Sequence, residues 1–401
     1  MDHDTPLSNF SRTQDENEPF ALTAAVLLTA AAFPAVAADV NVYGRIDTGF
    51  LYTINHNQTS DSFEMTSGKS TGSRWGLKGS EQLNEDWQVR FVLESGFDSD
   101  AGSFTTTSGD RLFGRQATLS VYNKSFGELA LGRSGKPLSG SDQFTRISRF
   151  TPFGVTYGDA GLLFYGKGGR VDNGIFYKSP TFAGFTVVLA GSLNTSKEDA
   201  PEWVDNERFL SGSVDYKLGN WGVMVGAEQT VLKRAEEADN QEENPTTLFL
   251  GTSYDFGFMK LMAAYQRGWH LDRVGSLSSI KITPLSGGTN AAQIENWTGN
   301  SFMLGAQIPC AGGLVRLSGI LVDGENGRDI ASNKVGELGR DAGYWAVAAG
   351  YTYPLSKRTN VYGVVSHLEG RDGLDNDKYS IYNGDGDLDR EQVMVGLVHK
   401  F

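Results

Sequence analysis

Three aspartates at alternate positions within Asn383–Glu391, Asp385, Asp387 and Asp389, have a spacing that a hard divalent cation such as Ca2+ favours. The full twelve-residue calcium-loop pattern is missing around them. The run therefore reads first as a solvated acidic loop and second as a candidate Ca2+ site at an outer surface. Nucleophilic catalysis needs a Ser or Cys beside a base. Beyond the first forty residues the histidines are His56, His270, His367 and His399, and no Ser stands in a nucleophile-elbow context, so no enzyme is expected. Cys310 is the only cysteine, which removes both a disulfide framework and a multi-thiolate metal site. The chemistry that remains is electrostatic. Arg45, Arg74, Lys78 and Arg90 alternate with apolar residues and share faces with Asn41, Tyr43, Asp47, Gln88 and Glu94.

That alternation defines the elements that must position these charges. From Asp39 to Phe401 the apolar period is two, with Gly, Asn, Asp or Ser interrupting every ten or so residues. The pattern predicts about sixteen strands, beginning with 39–54, 71–83, 86–98, 111–123 and 126–135 and ending with 390–401. Very short connections, such as Asn84-Glu85 and Lys124-Ser125, alternate with long polar ones, such as 233–245, 270–300 and 371–389. An antiparallel barrel with one rim of tight turns and one of long loops has this rhythm; a soluble sandwich does not require it.

In the first strand Val40, Val42, Ile46, Phe50 and Tyr52 oppose Asn41, Tyr43, Arg45 and Asp47; in the third, Trp87, Val89, Phe91 and Leu93 oppose Gln88, Arg90 and Glu94. Charges packed in a dry core would cost several kcal/mol per ion. The charged faces must therefore meet water and the apolar faces lipid. Tyr43, Tyr52, Tyr351, Tyr353 and Tyr362 are expected in interfacial girdles.

The chain has 401 residues, 50 of them Gly, with 35 Lys and Arg against 48 Asp and Glu, a net charge of -13. Such a balance excludes a nucleic-acid-binding surface, which needs a cationic stripe. Residues 21–38, ALTAAVLLTAAAFPAVAA, match a signal-peptide apolar region ending in an Ala-x-Ala cleavage site. The segment 1–37 reads as a signal peptide with an atypical acidic N-terminal extension, and 38–401 as one barrel. Since 1–37 holds five acids and one Arg, the remainder is negative by 9. Export to the envelope of a double-membraned bacterium or outside the cell follows.

YGRIDTGF (43–50), SRWGLKGSEQL (73–83), FVLESGFD (91–98), FGRQATLSVYNKSFGELALGR (113–133), RVDNGIFYKSPTFAGF (170–185) and the ending VGLVHKF resemble the general outer-membrane porins of Gram-negative bacteria, especially those of beta-proteobacteria. The resemblance implies an all-β, sixteen-stranded antiparallel transmembrane β-barrel with an inward-folded third loop, a homotrimer, and passive diffusion of ions and small hydrophilic solutes. It places a constriction loop at 136–170, whose carboxylates are Asp142 and Asp159, accompanied by Arg146, Arg149 and Lys167. On the wall Arg45, Arg74, Arg115 and Arg170 match the family's basic positions. Period-two parity supports Arg45, Arg74 and Arg170 as lumenal; it favours Gln116 over Arg115 unless a bulge intervenes. The terminal Phe401 resembles the signal read by the barrel-assembly machinery. Outer-membrane lipid and lipopolysaccharide are the expected surroundings. A barrel serving as a surface adhesin or receptor is the alternative, and bilayer conductance separates the two.

Overall fold

A computed structural model describes residues 39–56, 60–105, 111–138, 142–154, 156–161, 169–195, 202–233, 243–271, 273–274, 277, 281–284, 292–293, 297–325, 341–372, 374, 379–381 and 388–401. The leader, Lys167, Asp385 and Asp387 lie outside these residues.

The strands are β1 (Asp39–Asn55), β2 (Ser62–Ser67), β3 (Arg74–Gln82), β4 (Trp87–Gly96), β5 (Gln116–Asn123), β6 (Gly127–Gly135), β7 (Arg170–Lys178), β8 (Phe185–Ser192), β9 (Arg208–Leu218), β10 (Trp221–Val231), β11 (Thr246–Asp255), β12 (Lys260–Leu271), β13 (Lys281–Pro284), β14 (Ala292–Gln293), β15 (Trp297–Cys310), β16 (Gly313–Glu325), β17 (Ala342–Pro354), β18 (Thr359–Asp372), β19 (Tyr379–Ile381) and β20 (Asp389–Lys400). Each spanning strand pairs antiparallel with its neighbours, and β1 closes the ring on β20 from Arg45↔Lys400 to Asn55↔Arg390. Among the described residues this makes a closed barrel of sixteen strands.

The second spanning strand is split, where the sequence suggests one run over 71–83. β2 pairs with the later half of β1 and β3 with its earlier half, leaving Gly68–Ser73 as an interruption between them. Amides freed by such a break need acceptors. The carboxylate of Asp47 takes those of Ser70 and Thr71 at 2.8 and 2.7 Å. A separate small sheet, β14-β13-β19, joins segments of two long connections; the alternation pattern gave no sign of it.

Alternate residues on the outer face, including Phe50, Leu119, Leu131, Leu189, Leu250, Leu304 and Val365, are exposed. Their inward neighbours, such as Asp47, Thr118, Ala130, Phe249 and Met303, are buried. An uninterrupted apolar outer surface of this kind suits lipid, and closure leaves no strand edge unpaired in it. Aromatic pairs mark the tight-turn rim: Trp87 with Phe126, Phe185 with Tyr216, Tyr254 with Phe256, and Tyr351 with Tyr353.

Two of the five tyrosines expected in a girdle point inward instead. Tyr43 donates to Glu94 at 3.0 Å and Tyr362 to Asp47 at 3.0 Å. Tyr43 shares strand parity with Arg45 and Asp47, and Tyr362 with the buried Val364, Ser366 and Leu368, so both rings serve the interior.

Extrapolating a charged inner face to every strand also fails. On β12 and β15–β18 the inward residues include Met262, Met303, Ile320, Val322, Tyr344 and Leu368 among smaller polar ones such as Gln266, Ser301, Ser318 and Ser366. The apolar ones form one buried cluster with Leu271 at the end of β12 and with Val274, Leu277, Leu374 and Leu388 from the long connections. Segments of those connections fill this side of the barrel, so its wall is apolar because it faces protein. Burying an apolar side chain contributes roughly 1.5–3 kcal/mol, enough to hold such segments against the wall.

Candidate functional site

The connection between β6 and β7 runs across the inner wall. Phe144 stacks on Phe176 of β7 at 5.0 Å between centroids. Phe150 packs on Phe249 of β11, and the amide of Gln307 on β15 donates to the carbonyl of Pro152 at 2.9 Å. Ser318 of β16 reaches the carbonyl of Ala160 at 3.3 Å, and the Tyr157 ring meets Phe153 and Tyr362 edge-on. Its hydroxyl accepts from Ser70 at 2.7 Å. The segment thus touches strands around most of the barrel. Glycines on the wall make room: a Cβ at Gly251 would lie 2.8 Å from the Phe150 ring, and one at Gly350 2.9 Å from that of Phe153.

Charged groups meet along the same segment. Glu94 of β4 is shared by Arg115 Nε at 2.7 Å and Arg74 at 3.5 Å. Asp142 is shared by Arg170 Nε at 2.9 Å and Arg115 at 3.7 Å. Arg45 hydrogen-bonds the Thr71 hydroxyl at 3.2 Å, to which Arg74 also donates at 3.0 Å. Across the lumen Arg146 forks onto both carboxylate oxygens of Asp215 of β9, Nε and Nη2 lying 3.0 and 2.8 Å from Oδ2 and Nη2 also bonding Oδ1, and Arg149 adds a further bond to Oδ1 at 3.0 Å. Asp159 takes a fork from Arg390 of β20 at 2.8 and 2.6 Å. Arg316 lies over the Tyr157 ring.

Counted over described residues, eight arginines (45, 74, 115, 146, 149, 170, 316 and 390) stand on the inner side with six carboxylates (Asp47, Glu94, Asp142, Asp159, Asp215 and the inward Glu228), and ion pairs join six of the arginines to four of the carboxylates. Lys136 and Lys260 add to the positive side. Three carboxylates are each shared by two guanidinium groups, which leaves net positive charge where the segment crosses the lumen. The Arg149 side chain is 56% exposed, so part of that charge faces water directly.

Both alternatives for Arg115 are accommodated. β5 begins only at Gln116, which is inward and buried; Arg115 stands in the bend before it, free of strand parity, and turns inward beside Glu94. Lys78 and Arg90 share the inner face but lie nearer the tight-turn rim, Lys78 over the Tyr43 ring and Arg90 on Tyr122 and Glu128. Asp47, Glu94, Asp215 and Arg390 complete the cluster. Asp47 and Glu94 share the charged parity of the first and third strands; Arg390 was hidden in what reads as an acidic loop. Phe401 exchanges backbone hydrogen bonds with Gly44 at 3.1 and 3.2 Å and covers it with its ring. Asp389 opens β20, near His367 at 3.9 Å, and no metal-binding group of three acids or histidines occurs among the described residues.

Residues 21–373 match the family model described as Gram-negative porin. The chain belongs to the Gram-negative porin family. This porin is 31% identical over 424 residues to an outer membrane porin protein of Bordetella pertussis, covering 95% of this chain and 99% of that protein. It is 29% identical over 394 residues, again covering 95% and 99%, to outer membrane porin protein 32 of Delftia acidovorans. Among solved structures it is similar to the anion-selective porin from Comamonas acidovorans, with a TM-score of 0.67 at 25% identity over 91% of this chain and 100% of that one. OmpF of Salmonella typhi shares the fold, with a TM-score of 0.60 at 15% identity over 90% and 97%. The porin is an outer-membrane β-barrel channel.

Proposed function

We propose that this porin is a homotrimeric, passive channel without enzymatic activity, constricted by residues 136–170 and modestly selective for anions. The excess of arginines over carboxylates along that segment carries the reading. A charge in a narrow, partly dry section acts at short range, whereas the acids of the outer connections are screened within about 8–10 Å. The anion-selective porin from Comamonas acidovorans supports the same sign. Residues 1–37 act as the exported leader, Phe401 as the docking signal for the barrel-assembly machinery, and lipopolysaccharide as the outer surroundings, with Ca2+ a candidate ligand at Asp385, Asp387 and Asp389.

Zero-current potentials across a KCl gradient in a planar bilayer test the reading. Chloride preference in dilute salt, reversed by Arg74→Glu with Arg170→Glu, is the expected result. A cation-selective wild type would reject the basic constriction, and a barrel without conductance would return the adhesin alternative.

A further inference from the structure

At the long-loop lip of β6 and β7 a charged feature faces away from the lumen. Gly132 pairs with Gly174, whereas the next pair is Ser134 with Val171, so β7 carries one extra residue. Gly132 itself has φ 124, where a side chain is strained. Val171 is buried inside, and Asp172 and Asn173 occupy the bulge, with Asn173 at φ 50. Arg133 pairs with Ala117 and shares the outer face with the exposed Leu131. Asp172 takes a bond of 2.6 Å from Arg133 and another of 2.6 Å from Arg111. A second Arg133 nitrogen is fixed on the Gly114 carbonyl at 2.7 Å.

These groups border a hollow of about 610 Å³ floored by Gly132 and Gly174 and walled by Leu131, Ile175 and Leu193. The three walls are 56%, 46% and 61% exposed. Two guanidinium groups share a single carboxylate, and among the described residues neither has another within salt-bridge distance. The hollow is thus apolar below and positive by one charge at its top.

We propose that this lip docks the phosphorylated headgroup of an outer-leaflet lipid, with acyl chain laid along Leu131, Ile175 and Leu193. The inference rests on the outer-membrane reading, which turns the long-loop rim outward. Charge complementarity selects the occupant: guanidinium forks match phosphate oxygens, and Asp172 holds both forks at the border of the apolar face instead of letting them extend into water. A basic site at that depth attracts anionic headgroups, whereas a purely apolar contact would not discriminate among lipids.

The test uses the full-length porin, stripped of lipid in detergent and titrated with bis-phosphorylated lipid A, with retained lipid counted by native mass spectrometry. Arg111→Gln with Arg133→Gln should retain lipid about tenfold less well, since the lip changes from net positive to net negative. Dephosphorylated lipid A should lose the same advantage on the wild type. Single-channel conductance should stay unchanged, because the lip lies outside the lumen; failure of the channel reading would appear there and nowhere in the lipid titration. Should the glutamine pair fail to fold, Arg111→Lys with Arg133→Lys keeps the charge, and its retention should exceed that of dephosphorylated lipid A on the wild type. Equal retention by the glutamine variant, or retention independent of phosphate, overturns the proposal. So does loss of oligomer with unchanged retention, which would assign the lip to a contact between copies of the chain.

Discussion

Glu94→Gln offers a sharp test of how the channel selects ions. Its side chain is almost fully buried between Arg115, Arg74 and the Tyr43 hydroxyl. Glutamine preserves the shape and an acceptor for Tyr43 while removing one negative charge, so two guanidinium groups lose their shared counter-ion but remain positioned by Thr71, Gly72 and Asp142. For an ion passing about 8 Å away, one unit of charge is worth about 0.5 kcal/mol at the dielectric of water and about 2 kcal/mol at an effective value near 20. The effect counts twice in a permeability ratio, because anions gain what cations lose. The lower figure alone changes the ratio about fivefold, and screening at 0.15 M ionic strength reduces that to about twofold. Zero-current potentials in 0.1:0.01 M and in molar KCl gradients provide the assay: chloride preference should rise at low salt and converge with wild type at high salt. Unchanged or reduced chloride preference at low salt would refute the claim that the shared arginines set the field.

Enlarging the wall glycine at 251 to leucine should push Phe150 and its segment off β11, since ordinary carbon contacts need about 3.5–4.0 Å against the 2.8 Å available to a Cβ; single-channel conductance should rise. Deleting Phe401 removes two backbone hydrogen bonds to Gly44 and the ring that covers it, so the yield of heat-modifiable oligomer should fall while export, followed by envelope fractionation, persists. His56, in the bend after β1, bonds Glu391 at 3.0 Å, which holds its pKa above the usual 6.5. Folding therefore favours its protonated form, and the contact's stabilisation is complete below 6.5 and lost as pH rises through the higher folded value. The NMR titration midpoint of His56 should exceed 6.5 and fall in Glu391→Gln.

Barrel strands were legible because lipid and water impose opposite demands on alternate residues. Val40, Val42, Ile46 and Phe50 cannot face anything but an apolar medium once Arg45 and Asp47 face a polar one. The arginines at 45 and 74 were legible for the same reason together with their motifs, and Arg170 by its motif alone. What escaped was whatever depends on partners distant in sequence. Asp215 and Arg390 acquire their roles only because Arg146 and Asp159 fold against them, 69 and 231 residues away along the chain. Met303, Ile320 and Tyr344 look outward-facing by type, yet parity and the neighbouring connections bury them inside. The bulge at Asp172–Asn173 also breaks the rule by which Arg170 was placed. Val171 takes the inward position, and Arg170 reaches Asp142 from the rim beside Gly135.

Charge and apolar surface divide the interior between them. Arginine and carboxylate pairs gather where the internal segment meets β1, β3, β4, β9 and β20, while β12 and β15–β18 hold apolar filling. A uniformly charged wall would leave the connecting segments in water with nothing to hold them. A uniformly apolar one would dehydrate the permeant ion, whose desolvation costs several kcal/mol without compensating groups. The apolar side anchors protein in the lumen, and the anchored protein brings Asp142, Arg146 and Asp159 against the charged side. Substitutions in the apolar half, which carries only Arg316 of the cluster's arginines, should therefore alter ion selectivity by displacing the segment that completes it, which ties the packing of one wall to the electrostatics of the other.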